Sequence, residues 1–175
     1  MTPRGTGADT GQRSMGNHDN PFQGERRHGG PPLTGKGLGI APGPLSASDV
    51  AGLGWSVLDG EVSLPVAVLR DSALQHNLAW MAAFMAAYGV ELAPHGKTTM
   101  SPELFAMQLQ AGAWGITLAT APQVADACAH GVRRVLMANQ LVGRANMAII
   151  ANLLQDPDFD FCCLVDSAEG AELLG

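Results

Sequence analysis

The feature that most constrains the fold is the regular alternation, after residue 64, of short apolar runs with longer helical segments. The runs "ITLA" and "RVLMA" are apolar throughout, which is typical of strands covered on both faces of a parallel sheet. Strands that alternate with helices of about 10 to 15 residues indicate parallel βαβ units. The sequence therefore predicts an α/β fold, and this pattern is shared by closed β/α barrels and open doubly wound sheets.

Capping residues predict where the helices begin. Asp71 or Ser72 is expected to cap the first of them, and Ser101 the second, because a short polar side chain accepts a hydrogen bond from a free backbone N–H. Thr120 with Gln123 forms the pattern of a capping box for "APQVADACAH". The predicted strands are "LPVAVLR", "VELAP", "WGITLAT", "RRVLMANQ" and "FDFCCLVD".

The amino-terminal part of the chain has a different composition. Residues 1–50 are rich in Gly, Pro and polar residues and contain hardly any aliphatic ones, so they are predicted to form a disordered tail. The tail has no apolar central run, and therefore does not resemble a signal peptide. Residues 51–70 are predicted to be a strand region, and residues 71–175 the β/α part.

Charge and cysteine usage exclude several classes of function. After residue 50 the chain carries five Lys or Arg and twelve Asp or Glu, and this acidic balance argues against nucleic-acid binding. No apolar run reaches the ~18 residues required to cross a bilayer, so no membrane partner is expected. The three cysteines form no CxxC pair, which predicts a reduced, cytoplasmic protein without a cysteine metal site.

Polar side chains follow each predicted strand of the β/α part. In parallel α/β folds ligands bind at the carboxyl ends of the strands, so these side chains are expected to converge on one edge of the sheet. No dinucleotide or P-loop motif accompanies them. The residues at these strand ends are His95, Lys97 and Thr98, then Thr120, then Asn139 and Gln140, and finally Asp166.

Lys97 is the most informative of these residues. A lysine amine forms Schiff bases with carbonyl compounds when its surroundings favour the neutral form. The preceding Gly96 allows another group to approach the backbone closely. On spacing alone, a surface lysine in a loop is the commoner interpretation, and His95 alone is more often a structural histidine.

The segment "LPVAVLRDSALQHNLAWMAAFMAAYGVELAPHGKT" resembles the opening of alanine-racemase-type, fold-type III pyridoxal phosphate (PLP) enzymes. In that group a "D-x-x-A-L-x-x-N" helix precedes the Schiff-base lysine, and here the matching residues are Asp71, Ala73, Leu74, Asn77 and Lys97. "PHGKT", "AGAWGITLAT", "VLMANQLVG" and "LVDSAEG" resemble the D-threonine aldolase and D-serine dehydratase family. The resemblance covers about residues 62 to 175.

One part of the motif departs from the aldolase branch of that family. The aldolase pattern is similar to R-P-H-x-K-T-H-K, whereas this chain has Ala93, Thr99 and Met100 at the arginine, second histidine and second lysine positions. The form "APHGKTTMSP" is more similar to the branch called amino acid deaminases, or D-serine deaminase-like proteins.

The resemblance implies a partial (β/α)8 barrel of the alanine racemase N-terminal type, with about four of the eight strands present. It also implies that residues 51–70 pair with a carboxyl-terminal β domain outside this chain, and that residues 71–175 are the first half of the barrel. We accordingly expect the chain to be an N-terminal fragment of a homodimeric enzyme. A divalent metal is possible in such an enzyme, and its ligands are not expected in this chain.

The resemblance further implies a PLP-dependent lyase acting on D-amino acids. Lys97 would hold PLP, with His95 and Asn139 near the cofactor, and the expected reaction is deamination of D-serine or a related β-hydroxy D-amino acid to a keto acid and ammonia. Retro-aldol cleavage of the D-threonine aldolase type is the first alternative. A non-catalytic PLP-binding protein, or an inactive truncated remnant, is the second. Candidate pocket residues are Thr98, Thr120, Gln140 and Asp166.

Overall fold

A computed structural model describes residues 37–39, 41 and 43–175, apart from the side chains of residues 47 and 48. The chain divides into two compact units, Met1–Val68 and Leu69–Gly175. The boundary between them lies two residues before the end of the predicted strand region at residue 70.

The first unit contains one helix, α1 (Ala47–Leu53), among its described residues. Ser46 begins it, with the Ser46 backbone N–H and hydroxyl both donating to Asp49 Oδ2 at 2.8 and 2.6 Å. Because α1 spans residue 50, regular structure begins earlier than the predicted end of the disordered tail. Most of that predicted tail, residues 1–36, lies outside the described residues.

The predicted strand "LPVAVLR" is not formed. Residues 64–70 are assigned to no strand, and Leu64, Val68 and Leu69 are 69, 63 and 73 % exposed. A strand satisfies its backbone N–H and C=O groups by pairing with a neighbour, and no described segment pairs with this run. Its assignment to a second β domain remains a prediction.

The second unit shows the predicted alternation of helices and parallel strands. Its three strands pair in the order β1-β2-β3, and both pairings are parallel. The predicted α/β fold is therefore confirmed, whereas a closed barrel remains a prediction. The elements are α2 (Asp71–Tyr88), α3 (Pro102–Gln110), β1 (Ile116–Leu118), α4 (Ala121–Ala129), β2 (Arg134–Gln140), α5 (Arg144–Leu153), β3 (Asp160–Leu164) and α6 (Ala168–Leu174).

The predicted strand "VELAP" runs alongside β1. Thr117 N–H donates to Pro94 C=O at 2.8 Å, and Gly96 N–H donates to Thr117 C=O at 2.8 Å. His95 and Thr117 form a parallel bridge. Residues 90–96, here named the edge segment, therefore lie beside β1 and end at the same edge of the sheet as the carboxyl end of β1.

The core of the second unit lies between the sheet and its helices. β1 is buried along its whole length, and α4 contributes its buried face. Burial of these aliphatic side chains supplies the main driving force that holds the strand ends in place. The buried members are Phe105, Ile116, Leu118, Ala121, Val124, Ala127, Val132, Val135, Met137, Leu141, Ile150 and Phe159.

Two of the three predicted helix caps are formed. Ser101 Oγ accepts from Leu104 N–H, and Thr120 Oγ1 accepts from Gln123 N–H, each at 3.4 Å. These bonds satisfy backbone donors that the first helical turn leaves free.

The predicted cap of α2 by Asp71 or Ser72 is wrong. The helix begins one residue earlier than that cap requires, so Arg70 occupies the N-cap position without a side-chain cap. Asp71 lies inside the first turn, and its Oδ1 accepts from Gln75 Nε2 at 3.3 Å.

No helix in the described part of the chain combines the length and apolarity needed to span a membrane.

Thr117 ties the edge segment to β1 through its side chain, and this contact gives a stability prediction. Thr117 is 2 % exposed, and its Oγ1 donates to Ala93 C=O at 2.6 Å. Replacing Thr117 with Val retains the shape but removes the donor. We expect a loss of about 1–3 kcal/mol in the free energy of unfolding, measured by urea denaturation.

Thr98→Val provides the control for this substitution. Thr98 is exposed, and its side chain has no hydrogen-bond partner among the described residues. Its replacement is expected to change stability by less than about 0.5 kcal/mol. Equal effects of the two substitutions would show that the Thr117 bond contributes nothing specific.

Candidate functional site

The predicted site residues lie at one edge of the sheet, where the edge segment and the three parallel strands end. His95 is the penultimate residue of the edge segment, and Thr120 lies two residues after β1. Asn139 and Gln140 end β2, and Asp166 follows β3. The parallel topology therefore gathers side chains that are separated by up to 71 positions in the sequence, from His95 to Asp166.

A chain of hydrogen bonds crosses this edge between neighbouring strand ends. Asn139 Nδ2 donates to Ala119 C=O at 3.4 Å, and Asn139 Oδ1 accepts from Gln140 N–H at 3.0 Å. Gln140 Nε2 then donates to Asp166 Oδ2 at 2.9 Å. Three of the predicted site residues thus contact one another in sequence, linking the ends of β1, β2 and β3.

A β-bulge sets the positions of the two β2 residues in that chain. Met137 pairs with Cys163 and Gln140 with Leu164, so Ala138 and Asn139 have no counterpart on β3. Bulges bend a strand and re-aim its side chains, and they are frequent beside active sites. Here the bulge places Asn139 toward the β1 exit and Gln140 toward the β3 exit.

Lys97 lies in the turn directly after the edge segment. Its side chain is exposed, with no ion pair or hydrogen bond to any residue in the part of the chain that the structure describes. The preceding Gly96 is buried, and a Cβ on it would lie 2.4 Å from Phe105 Cε1 and 2.8 Å from Ile116 Cγ2. The backbone that carries Lys97 therefore rests directly on the core, while the side chain is exposed.

Gln123 links Lys97 to the rest of the edge, and sequence reasoning identified it only as a helix-capping residue. Its Nε2 donates to Lys97 C=O at 3.3 Å, and its Oε1 accepts from Ala119 N–H at 3.1 Å. A complete capping box would direct that side chain to Thr120 N–H instead. The capping-box prediction is therefore correct for Thr120. For Gln123 it is off by one residue, because its side chain accepts from the N–H of Ala119 instead of Thr120.

Not all the predicted residues are joined. The side chains of His95 and Thr98 are exposed and form no hydrogen bond with described residues. Thr120 uses its hydroxyl to cap α4. Among the described residues, no group of three or more His, Cys, Asp or Glu gathers as metal ligands would.

Comparison with curated proteins finds two homologous enzymes, although no family model matches. The chain is 31 % identical over 107 residues to D-threonine aldolase from Arthrobacter sp., covering 61 % of this chain and 28 % of the aldolase. It is 40 % identical over 74 residues to D-threo-3-hydroxyaspartate dehydratase from Delftia sp. (strain HT23), covering 42 % of this chain and 20 % of the dehydratase.

Solved structures of the same two kinds of enzyme also match. D-threonine aldolase from Filomicrobium marinum matches with a TM-score of 0.62 at 26 % identity, covering 65 % of this chain and 30 % of the aldolase. The dehydratase from Delftia sp. HT23 matches with a TM-score of 0.57 at 32 % identity, covering 63 % and 29 % of the two chains.

The parallel α/β fold of this chain is shared with D-threonine aldolase and D-threo-3-hydroxyaspartate dehydratase over the matched part. The chain is homologous to these two enzymes, which are fold-type III PLP enzymes, in agreement with the resemblance seen in the sequence motifs. The chain spans less than a third of the length of each of these relatives.

Proposed function

We propose that this chain carries the cofactor lysine of a PLP-dependent lyase that acts on D-amino acids. The observation that supports this most directly is the position of Lys97, an exposed lysine in the turn at the carboxyl edge of a parallel sheet, directly after a glycine packed against the core. Its homologues are named for chemistry on D-threonine and D-threo-3-hydroxyaspartate, which are both β-hydroxy D-amino acids.

The residues at this edge fit the chemistry of PLP. A covalent link to the cofactor aldehyde requires an accessible primary amine, and Lys97 Nζ is accessible. His95 supplies an imidazole two residues before Lys97. Asn139 supplies an amide near the end of β2, which is separated from the edge segment by β1. We propose that Lys97 holds the cofactor and that His95 and Asn139 contact it.

When bound, PLP acts as an electron sink and stabilises the carbanion formed when a bond to the substrate Cα breaks. Lys97 Nζ is the group proposed to move the proton at Cα, because an amine that has held the cofactor would remain next to it once released. Thr98, Thr120, Gln140 and Asp166 are proposed to line the substrate pocket. Asp166 is held by Gln140, and this bond fixes the carboxylate at the β3 exit.

Deamination of D-serine or a related β-hydroxy D-amino acid is the reaction we favour. Loss of the Cα proton and the β-hydroxyl, followed by hydrolysis, converts the amino acid to a keto acid and ammonia. Similarity to the dehydratase supports this choice, and so does the "PHGKTTM" motif, in which Thr99 and Met100 replace two basic residues of the aldolase pattern.

Retro-aldol cleavage to glycine and an aldehyde is the second candidate, because the D-threonine aldolases are also similar. Ammonia release from D-serine, compared with acetaldehyde release from D-threonine, separates the two reactions. A protein that binds PLP at Lys97 and releases neither product would be the non-catalytic alternative.

We also propose that the full-length protein is a homodimer. A divalent metal with ligands outside this chain is part of the proposal for the full-length protein, and the description of one dehydratase structure as a metal-free form is compatible with it.

Covalent trapping tests the proposal. The protein is incubated with PLP, reduced with borohydride and digested, and the peptides are analysed by mass spectrometry. The chain contains two lysines, Lys36 and Lys97, so the label has few possible positions. We expect a pyridoxyl group on Lys97, and a folded protein labelled elsewhere or not at all would refute the assignment.

A further inference from the structure

We infer that Gln123 is a positioning residue for Lys97. Its side-chain amide joins the backbone carbonyl of Lys97 to the backbone N–H of Ala119, and so fixes the turn that carries the amine against the exit of β1. The inference rests on the proposed function, in which Lys97 holds the cofactor.

The geometry places Gln123 at the centre of the hydrogen-bonded edge. Its side chain is half-buried in the first turn of α4, a helix fixed by buried Ala121 and Val124. Ala119 receives bonds from both sides, because its N–H donates to Gln123 and its C=O accepts from Asn139. Gln123 therefore connects Lys97 to the same network that reaches Gln140 and Asp166.

The turn that carries Lys97 has few other attachments. Gly96 N–H donates to Thr117 C=O, and Gly96 C=O accepts from Met100 N–H at 2.9 Å and from Thr99 Oγ1 at 3.4 Å, so these bonds hold the residue before Lys97. The bond from Gln123 is the one that holds the carbonyl of Lys97 itself, as far as the described residues show. A reactive side chain must be held to within about 0.5 Å of its productive geometry, and supporting hydrogen bonds provide that restraint.

The two hydrogen bonds of the Gln123 side chain can be distinguished by substituting this residue in two ways. In Gln123→Glu the new carboxylate can still accept from Ala119 N–H, but it cannot donate to Lys97 C=O. Methionine at this position has similar length and forms neither bond. Gln123→Glu therefore removes the Lys97 link alone, whereas Gln123→Met removes both.

Amide hydrogen exchange of the cofactor-free protein gives a readout that does not depend on activity. In Gln123→Glu we expect the amides of Gly96 and Met100 to exchange about fivefold faster, as the loss of one net hydrogen bond predicts, with Ala119 unchanged. In Gln123→Met the Ala119 amide should also exchange faster. A residue that merely capped α4 would alter Ala119 and the α4 amides and leave Gly96 and Met100 unchanged.

PLP binding provides the second readout. We expect the dissociation constant for PLP, from absorbance titration, to rise about fivefold in Gln123→Glu. Gln155→Glu is the matched control, because Gln155 lies just after the end of α5, its Nε2 donates to the Ala151 C=O of that helix, and the substitution introduces the same charge. The control should change neither readout.

The outcomes separate the two proposals. If the unmodified protein acquires no label on Lys97, the proposed function fails, and exchange of Gly96 and Met100 still tests the Gln123 link. If Lys97 is labelled but Gln123→Glu matches the unmodified protein in exchange and in PLP affinity, the positioning role of Gln123 is overturned.

Discussion

Lys97→Arg is expected to abolish covalent attachment of PLP and to lower turnover of a β-hydroxy D-amino acid by at least roughly 10²- to 10⁴-fold. Loss of a positioned proton-transfer group alone accounts for that range. The guanidinium group stays protonated, so it can neither form the covalent link nor accept a proton. Ammonia and aldehyde release should be measured at saturating substrate, together with borohydride trapping.

The chain offers a matched control in its other lysine, Lys36. Lys36→Arg makes the same chemical change, and we expect trapping and turnover to remain as in the unmodified protein. Circular dichroism of both variants distinguishes lost chemistry from lost folding. A Lys97→Arg protein that remains labelled and active would show that another group holds the cofactor.

Most of the architecture follows from local sequence. Strand and helix positions in the second unit are set by apolar runs and caps such as Ser101 and Thr120, whose effects act over a few residues. The strand-exit rule then locates Asn139, Gln140 and Asp166 at one edge without knowledge of their contacts. Parallel pairing of the strands confirms that placement.

The contacts among these residues could not be predicted from sequence because they depend on non-local geometry. The bulge at Ala138 and Asn139 arises from pairing with β3, and no residue of β2 signals it. Gln123 reaches Lys97, 26 positions earlier, only because β1 and the edge segment end together. The failed strand at residues 64–70 has the same origin, since strand propensity requires a partner to become structure.

Gly96→Ala is expected to lower the free energy of unfolding by about 1–3 kcal/mol, the usual cost of overpacking a well-filled core. Gly96 is not among the glycines with positive φ, so an alanine is compatible with its backbone. The obstacle is space, because the added Cβ would lie 2.4 Å from Phe105 Cε1. Urea denaturation followed by circular dichroism measures the change.

Two further variants test whether steric crowding is the cause. Gly52→Ala in α1 adds a Cβ with no atom within 4 Å, and should leave stability unchanged or slightly raised, since Ala favours helix. Phe105→Leu removes ring atoms that the new Cβ would meet. It should therefore lower the free energy of unfolding by less in the Gly96→Ala protein than in the unmodified protein. Strictly additive effects would contradict the steric explanation, because residues in contact are expected to be coupled.

The same substitution connects stability to function at the site. Either the Phe105 ring shifts, which disturbs the core beneath the edge segment, or the backbone at Gly96 moves away from the Phe105 ring. In the second case Lys97 moves with the backbone, and trapping of PLP should weaken even when the protein remains folded. If Lys97 is still labelled by PLP in a destabilised Gly96→Ala protein, the Phe105 ring has shifted rather than the backbone. The hydrogen bond from Gln123 is then sufficient to keep Lys97 in place.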